Sequence, residues 1–401
     1  MEVKVLKVVQ IPRSTCRLFG AIKALGTIQR CVILVHGPKG CVYHINYILG
    51  MRGDRPSQVY STCLEENDVI FGAEERLKGA IEELDQMESP DLIAVLSCCA
   101  SSIIGEDVES AVRRACTHAR VIGIEGGGFE GDFRQGYGGT LSSLVDTLVE
   151  ERGPIDPRSV NLVGVLRSGP DLRELIGILN RGGVSVNAVL TAGATLLDIS
   201  RMSSVALNIV LCESSGLDAA KRLQEKFGTP YIIADLPIGA QATRHFAQQV
   251  SEALRIPLDS GFPETPQPLP PLTKRVALIS GPTRAIAVTA FLKELGIEPT
   301  LIVLDFDAGT RQRLQDMVGS EILVEPDQGL ILEKLREKRV DLILGGMLER
   351  SFAALLDIDF LDIMHGSQKT MGCEGICNLL RVLGAGDVDS NEKSLDHNCR
   401  I

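Results

Sequence analysis

Three absences limit what this chain of 401 residues can be. No apolar run is long enough to span a bilayer, and no apolar segment follows a basic start as in a signal peptide. No GxxxxGK[ST] phosphate loop occurs, so the chain is not expected to hydrolyse ATP itself. The net charge is -11, and the basic residues form no stripe with interleaved aromatics. We therefore expect a cytoplasmic protein whose partners are neither nucleic acid nor membrane.

The overall composition is that of an ordinary globular protein. Hydrophobic residues make up 44% and charged residues 23% of the chain, and no low-complexity tract is present. The length suggests two or three domains, each able to bury its own core.

Strand, glycine turn, helix and strand follow one another repeatedly along the chain. The clearest example runs from Arg275 to Leu304, where VALIS predicts a strand, RAIAVTAFLKEL a helix closed by Gly296, and TLIVLDF the next strand. The segment from Asn161 to Leu190 has the same pattern. Units of this kind form parallel sheets with right-handed crossovers, so we predict an α/β fold.

Two joints rich in proline or glycine divide the chain. They are RGPIDPRSV and DSGFPETPQPLPPLTK, and such segments are typical of linkers. They predict domains at residues 1-155, 156-262 and 272-401.

The 11 cysteines are too many to be incidental and too unevenly placed for a small disulfide scaffold. Disulfides rarely persist in a reducing cytosol, so thiols at this density more often indicate metal or redox chemistry. Seven of them fall in the first third of the sequence: Cys16, Cys31, Cys41, Cys63, Cys98, Cys99 and Cys116. We expect the metal site there.

Three of these thiols share a local context. Cys16 in IPRSTCRLFGA, Cys41 in HGPKGC and Cys99 in CCASSIIGED each lie at a predicted strand-to-helix turn. Helix N-termini and loop N-H groups offset the negative charge of thiolates and of an iron-sulfur cluster. Alternatively, each cysteine is a small buried hydrophobe.

Several motifs together resemble one known family. HGPKGC, CLEENDVIFGAEERL, CCASSIIGEDVES, EGGGFEGDFRQGYGG, LPIGAQAT and VALISGP occur in this order. They resemble the nitrogenase component 1 family, which includes nitrogenase subunits, scaffolds for cofactor assembly and tetrapyrrole reductases. The resemblance covers nearly the whole chain and implies three Rossmann-like domains with parallel sheets around a central cleft.

The resemblance also implies a set of cluster ligands. Cys16, Cys41 and Cys99 occupy the positions that hold an iron-sulfur cluster at a subunit interface, either 4Fe-4S or a larger P-cluster-like group. Cys63 is a possible additional ligand, or simply a buried or surface thiol. The role of Cys98 beside Cys99 is left undecided, because adjacent residues at a strand end point to opposite faces.

Three glycines accompany these thiols. In the family, Gly37 and Gly40 let the backbone pass close to the cluster, and Gly105 opens the next helix. The alternative is that all three simply form tight turns.

A second site is implied by Cys212 in ALNIVLCESSG and His365 in DIMHGSQKTMG. These residues resemble the thiolate and imidazole that anchor the active-site metal cofactor of true nitrogenase from separate domains. Alternatively, Cys212 is a core thiol and His365 a satisfied polar residue at a strand end.

The chain is short for a nitrogenase subunit and has no Trp, which favours resemblance to the tetrapyrrole reductases. We therefore predict the catalytic component of an ATP-dependent reductase that receives electrons from a separate NifH-like iron-sulfur ATPase and reduces a tetrapyrrole. The alternatives are a scaffold for nitrogenase cofactor assembly and a nitrogenase-like enzyme with a second metal cluster. The expected assembly is a homodimer or a pair with a homologous second subunit.

Overall fold

The structure is a computed structural model that describes residues 15–51, 58–127, 129, 131–165, 168–258, 273–364 and 369–384. Within these residues, 13 strands form three separate sheets. All paired strands are parallel.

The first sheet contains β1 (Cys31–His36), β2 (Val59–Ser61), β3 (Leu92–Ser97) and β4 (Arg120–Ile124), in the order β2-β1-β3-β4. Its helices are α1 (Arg17–Leu25), α2 (Lys39–Met51), α3 (Glu66–Phe71), α4 (Glu74–Glu88), α5 (Cys99–Ile103), α6 (Val108–Arg114) and α7 (Phe133–Leu148).

The second sheet contains β5 (Asp156–Val165), β6 (Ser185–Thr191), β7 (Val205–Val210) and β8 (Tyr231–Ile233), in the order β6-β5-β7-β8. Its helices are α8 (Pro170–Arg181), α9 (Leu196–Ser200), which leads into a 3-10 turn (Arg201–Ser204), α10 (Glu213–Phe227) and α11 (Ala240–Leu254).

The third sheet contains β9 (Val276–Ser280), β10 (Leu301–Leu304), β11 (Glu321–Val324), β12 (Leu342–Gly345) and β13 (Asp359–Asp362), in the order β11-β10-β9-β12-β13. Its helices are α12 (Pro282–Glu294), α13 (Thr310–Met317), α14 (Gln328–Glu337), α15 (Met347–Leu356) and α16 (Gly372–Leu383).

The central strands are continuous apolar runs because helices cover both faces of each sheet. Every residue of β1, β3, β9 and β10 is buried. The β9-α12-β10 unit follows the predicted pattern closely. Pro282 occupies the first helical position, where its missing N-H costs nothing, and Gly296 beyond the helix has a φ of +73°. These sheets confirm the prediction of several parallel-sheet α/β domains.

Helix α7 joins the first unit to the second, because it packs against both α1 and α10. Two glycines make the α1–α7 contact close. A Cβ on Gly20 would collide with the carbonyl of Phe133, and one on Gly136 with the carbonyl of Arg17. The Arg134 guanidinium, at the start of α7, lies 4.4 Å from the ring centre of Phe306 in the third unit.

The predicted domain boundaries stay predictions. Strand β5 begins at Asp156, beside the expected first boundary, whereas most of the second joint, residues 259–272, lies outside the described residues. In the part of the chain that the structure describes, no helix is long and apolar enough to cross a membrane.

Candidate metal centre and inter-domain cleft

The first sheet has its topological switch point between β1 and β3, where the strand order reverses. Loops that leave neighbouring strands in opposite directions open a crevice at the carboxyl edge of a sheet. Residues 37–41 follow β1, and Cys98 and Cys99 follow β3. Cys16 immediately precedes α1, and its backbone bridges to Asp132 at the start of α7. The fold thus brings distant parts of the sequence to one edge.

Four thiols influence one another at this edge. A hydrogen bond with Cys98 is the main cause that raises the pKa of the Cys41 thiol, followed by burial and by the charges of Cys98, Cys99 and Cys16. The same hydrogen bond lowers the pKa of Cys98 to about 6, with further help from Ser101 and against the effect of burial. Cys98, whose role the sequence leaves open, is therefore the thiol with the largest influence on the pKa of Cys41.

Cys98 requires the glycine at position 37. Its side chain is only 1% exposed, and a Cβ on Gly37 would collide with its sulfur. The backbone N-H of Cys98 donates to Ser101 Oγ at 2.8 Å, which fixes the start of α5. Gly37 is thus needed here for a close approach of chain segments.

The donor set suits an iron-sulfur cluster better than a single ion. Among the residues described, no three His, Cys, Asp or Glu side chains converge tightly enough to hold one metal ion. A cluster instead accepts thiolates spread around several irons. Cys16 is exposed and Cys41 and Cys99 are half-buried, so all three residues are at least partly accessible to a second chain.

Cys63 lies beside the same turn. Its neighbours Thr62 and Leu64 both bond the backbone of Gly37, since Gly37 N-H donates to Thr62 Oγ1 and Leu64 N-H donates to the Gly37 carbonyl, each at 3.1 Å. Cys63 itself is exposed and has a φ of +52°. Its role as an additional ligand stays a prediction.

The other two glycines have different surroundings. A Cβ on Gly40 would meet nothing within 4 Å, so packing does not require glycine there. Gly105 has a φ of +73°, a conformation that favours glycine at the turn between α5 and α6. Their predicted part in cofactor binding stays a prediction.

Behind the thiols lies a buried polar pair that sequence inspection does not single out. His36 Nε2 is 3.6 Å from Glu106 Oε2, with side-chain exposures of 0% and 4%, and neither atom has a hydrogen-bond partner within the described part of the chain. His36 Nδ1 lies 3.1 Å from Thr62 Oγ1, and the N-H of Ala73 donates to Glu106 Oε1 at 2.7 Å. These contacts connect the end of β1 to three loops around the site.

Stability should fall in mild acid because of His36. Burial is the largest influence and lowers the pKa of His36 below 6.5, although the Glu106 carboxylate opposes it. The unfolded chain therefore binds a proton more readily than the native protein, and the stability present above pH 6.5 is lost as the pH falls through the native pKa. One proton contributes at most about 1.4 kcal/mol per pH unit.

Denaturant unfolding at several pH values between about 8 and 5 tests this expectation. His36→Asn should flatten the loss, whereas His44→Asn, on an exposed part of α2, should leave it unchanged. An equal acid sensitivity in His36→Asn and the unaltered protein would contradict the prediction.

Cys212 lies at the switch point of the second sheet. It follows β7 and occupies the N-cap position of α10, without a capping hydrogen bond from its side chain. Its sulfur is 3.2 Å from Ser214 Oγ and 3.4 Å from Ser215 Oγ. From the third unit, Thr283 Oγ1 donates to the same sulfur at 3.4 Å. Thr283 follows β9, at the switch point of the third sheet. Cys212 therefore lies where the second and third units meet, next to a cleft lined by residues of both units, among them Ser214 and Thr283. His365 lies outside the described residues.

The fold and the thiols define an α/β protein of three parallel-sheet units with cysteines at two switch points. The sequence matches the model of the family described as nitrogenase component 1 type oxidoreductase over residues 16–385. This match spans most of the chain, and the protein belongs to that family.

Similar proteins extend over nearly the same length. The nitrogenase iron-molybdenum cofactor biosynthesis protein NifE of Methanosarcina barkeri is 26% identical, with 94% of this chain and 88% of the relative covered. The nitrogenase vanadium-iron protein beta chain of Trichormus variabilis is also 26% identical, with coverages of 83% and 82%. A solved structure described as nitrogenase Cp1 at pH 6.5 superposes with a TM-score of 0.82 at 22% identity, covering 98% and 96% of the two chains. This likeness supports the fold.

Proposed function

We propose that this chain is a scaffold subunit that holds an iron-containing cofactor precursor in the cleft at Cys212 and a separate iron-sulfur cluster at the subunit interface. The observation that carries the proposal is the separation of two thiol sites, one at the switch point of the first sheet and one between the second and third sheets. Relatives named as cofactor biosynthesis proteins, alignable over 94% of this chain, support the same role.

The interface cluster would be held by Cys16, Cys41 and Cys99, with Cys98 as a neighbouring thiol. When bound, such a cluster supplies one-electron transfer. The chain's own contribution is to hold the thiols at one sheet edge and to place them near a second chain. The electron donor in this proposal is a NifH-like ATPase, because the chain has no phosphate loop of its own.

Exposed apolar side chains surround the proposed interface. On α2, Tyr43 is 75% exposed, and on α3, Phe71 is 83% exposed; Tyr47, Ile70 and Ile103 are also exposed. Apolar patches of this kind mark sites of protein association. We propose that a second copy of the chain, or a homologous second subunit, covers them.

Phe71→Asp should weaken this association by about tenfold or more, since a charge would replace an apolar side chain at the contact. Light scattering across a dilution series measures the change. Met87→Asp is the matched control, because Met87 is 63% exposed but lies near the end of α4, which leads into the opposite edge of the sheet. Equal dissociation of both variants would argue against this surface.

The second candidate is the reductase predicted from chain length, with a tetrapyrrole as its substrate. It shares the interface cluster but uses the cleft for an organic macrocycle. Elemental analysis after anaerobic purification separates the two candidates. A scaffold should carry iron beyond that of the interface cluster, whereas a tetrapyrrole reductase should carry none in excess and should retain pigment. Absence of excess iron would overturn the scaffold proposal, whether or not pigment is retained.

A further inference from the structure

We infer that Asp171 is a positioning residue whose carboxylate fastens the third unit to the second beside Cys212 and thereby controls access to the cleft. The inference rests on the proposed function only in naming that cleft as the place of the cargo. The contacts themselves lie within one chain and need neither cargo nor partner.

Asp171 lies in the first turn of α8, just beyond β5. Its Oδ1 accepts hydrogen bonds from the backbone N-H groups of Thr370 at 2.6 Å and Met371 at 3.1 Å. Its Oδ2 accepts the hydroxyl of Thr370 at 2.6 Å. One carboxylate of the second unit thus binds two consecutive residues of the third unit.

Arg284 completes the cluster from α12. Its guanidinium donates to Asp171 Oδ2 at 3.3 Å and to Thr370 Oγ1 at 2.8 Å. The side chains of Arg284 and Asp171 are only 19% and 14% exposed. Charged hydrogen bonds at low exposure are strong while both partners are present. Removal of one partner leaves a poorly solvated charge and is strongly destabilising.

The Asp171 cluster lies next to the contact between α12 and Cys212, so it helps to hold α12 against this thiol. Thr283, which donates to the Cys212 sulfur, directly precedes Arg284. Two consecutive residues of α12 therefore contact the second unit: Thr283 binds the Cys212 sulfur and Arg284 binds Asp171. Any displacement of α12 away from the second unit would break both contacts and increase the solvent exposure of Cys212, which is half-buried in the intact protein.

Another ion pair between the same units is much weaker. Arg313 lies 3.5 Å from Asp235, and their side chains are 54% and 40% exposed. Exposed pairs of this type contribute little to stability. The cluster around Asp171 is therefore the stronger fastening.

Alkylation kinetics test the inference on the full-length protein as isolated. Iodoacetamide is added under anaerobic conditions, and labelling of Cys212 is followed by peptide mass spectrometry. Asp171→Asn keeps the side-chain shape but removes the charge, and it should raise the rate at Cys212 about tenfold or more by populating an open cleft. Arg284→Lys, which keeps a positive charge, should give a smaller increase.

Asp341→Asn is the matched control. Asp341 binds Arg275 through both carboxylate oxygens, but both residues belong to the third unit. This variant should change the Cys212 rate less than about twofold, as expected for an exposed pair. Thr370→Val, which leaves both charges in place, provides a second test if Asp171→Asn folds poorly, and it should also accelerate labelling.

Two results would overturn the inference. One is a labelling rate of Cys212 that equals the wild-type rate in both Asp171→Asn and Thr370→Val. The other is an equal acceleration at Cys31, a thiol buried in β1, because that would indicate general unfolding. The scaffold proposal is tested by a different measurement, the iron in excess of the interface cluster. The scaffold proposal and the inference about Asp171 can therefore fail independently.

Discussion

Replacing Cys41 by Ala should strip most of the iron from the purified protein and weaken its association with the second subunit. The pKa of Cys41 is raised by its interaction with Cys98, by burial and by the charges of Cys99 and Cys16, so its thiol lies near the other three. A cluster shared between chains binds only the folded assembly and stabilises it in proportion to its affinity. Iron content, visible absorbance and light scattering on anaerobic samples measure the effect.

Cys31→Ala is the control for Cys41→Ala. Cys31 is also in the first sheet, but it is buried at the start of β1, the end of the strand opposite to the edge where Cys41, Cys98 and Cys99 lie. This variant should keep its iron. If Cys41→Ala also keeps full iron content and remains dimeric at nanomolar concentration, the shared interface cluster is wrong.

The sequence predicts the fold well because its signals are local. The β9-α12-β10 unit needs only an apolar strand, Pro282 at a helix start and Gly296 beyond its end, all readable within thirty residues of sequence. Parallel pairing follows from the alternation of strands and helices. The order of strands within each sheet depends on contacts between distant segments, so local sequence signals do not predict it. The switch points on which the sites depend follow from that order and are equally hard to predict.

The candidate site is predictable only in part for the same reason. Cys16, Cys41 and Cys212 can be proposed because they stand in recognisable motifs. The contact between Cys98 and Cys41 depends on how two strand ends lie side by side. The Asp171 cluster joins Asp171 to Thr370, which is 199 positions away, and no local sequence pattern predicts such a contact. HGPKGC does begin with a histidine, but its partner Glu106 emerges only from the fold.

Cys212→Ala should have the second large effect, which is the loss of cargo from the cleft with the interface cluster retained. Within the described part of the chain, the hydrogen-bond partners of the Cys212 sulfur are the hydroxyl groups of Ser214, Ser215 and Thr283. Removing it therefore breaks no charged contact, and the fold should lose only about 1 kcal/mol. Iron in excess of the interface cluster should disappear because its proposed anchor is absent. In the reductase alternative, turnover should disappear instead.

Two measurements on the same sample make this prediction decisive. The visible spectrum reports the interface cluster, and elemental analysis reports the total iron. Ser214→Ala is the matched control, since it removes a hydroxyl from the same helix start but keeps the thiol, and its total iron should match that of the unaltered protein. Loss of the cluster spectrum in Cys212→Ala would show that Cys212 supports the first site or the fold itself. An unchanged iron content with unchanged turnover would remove Cys212 from the mechanism, because a thiol that anchors cargo cannot be dispensable for both.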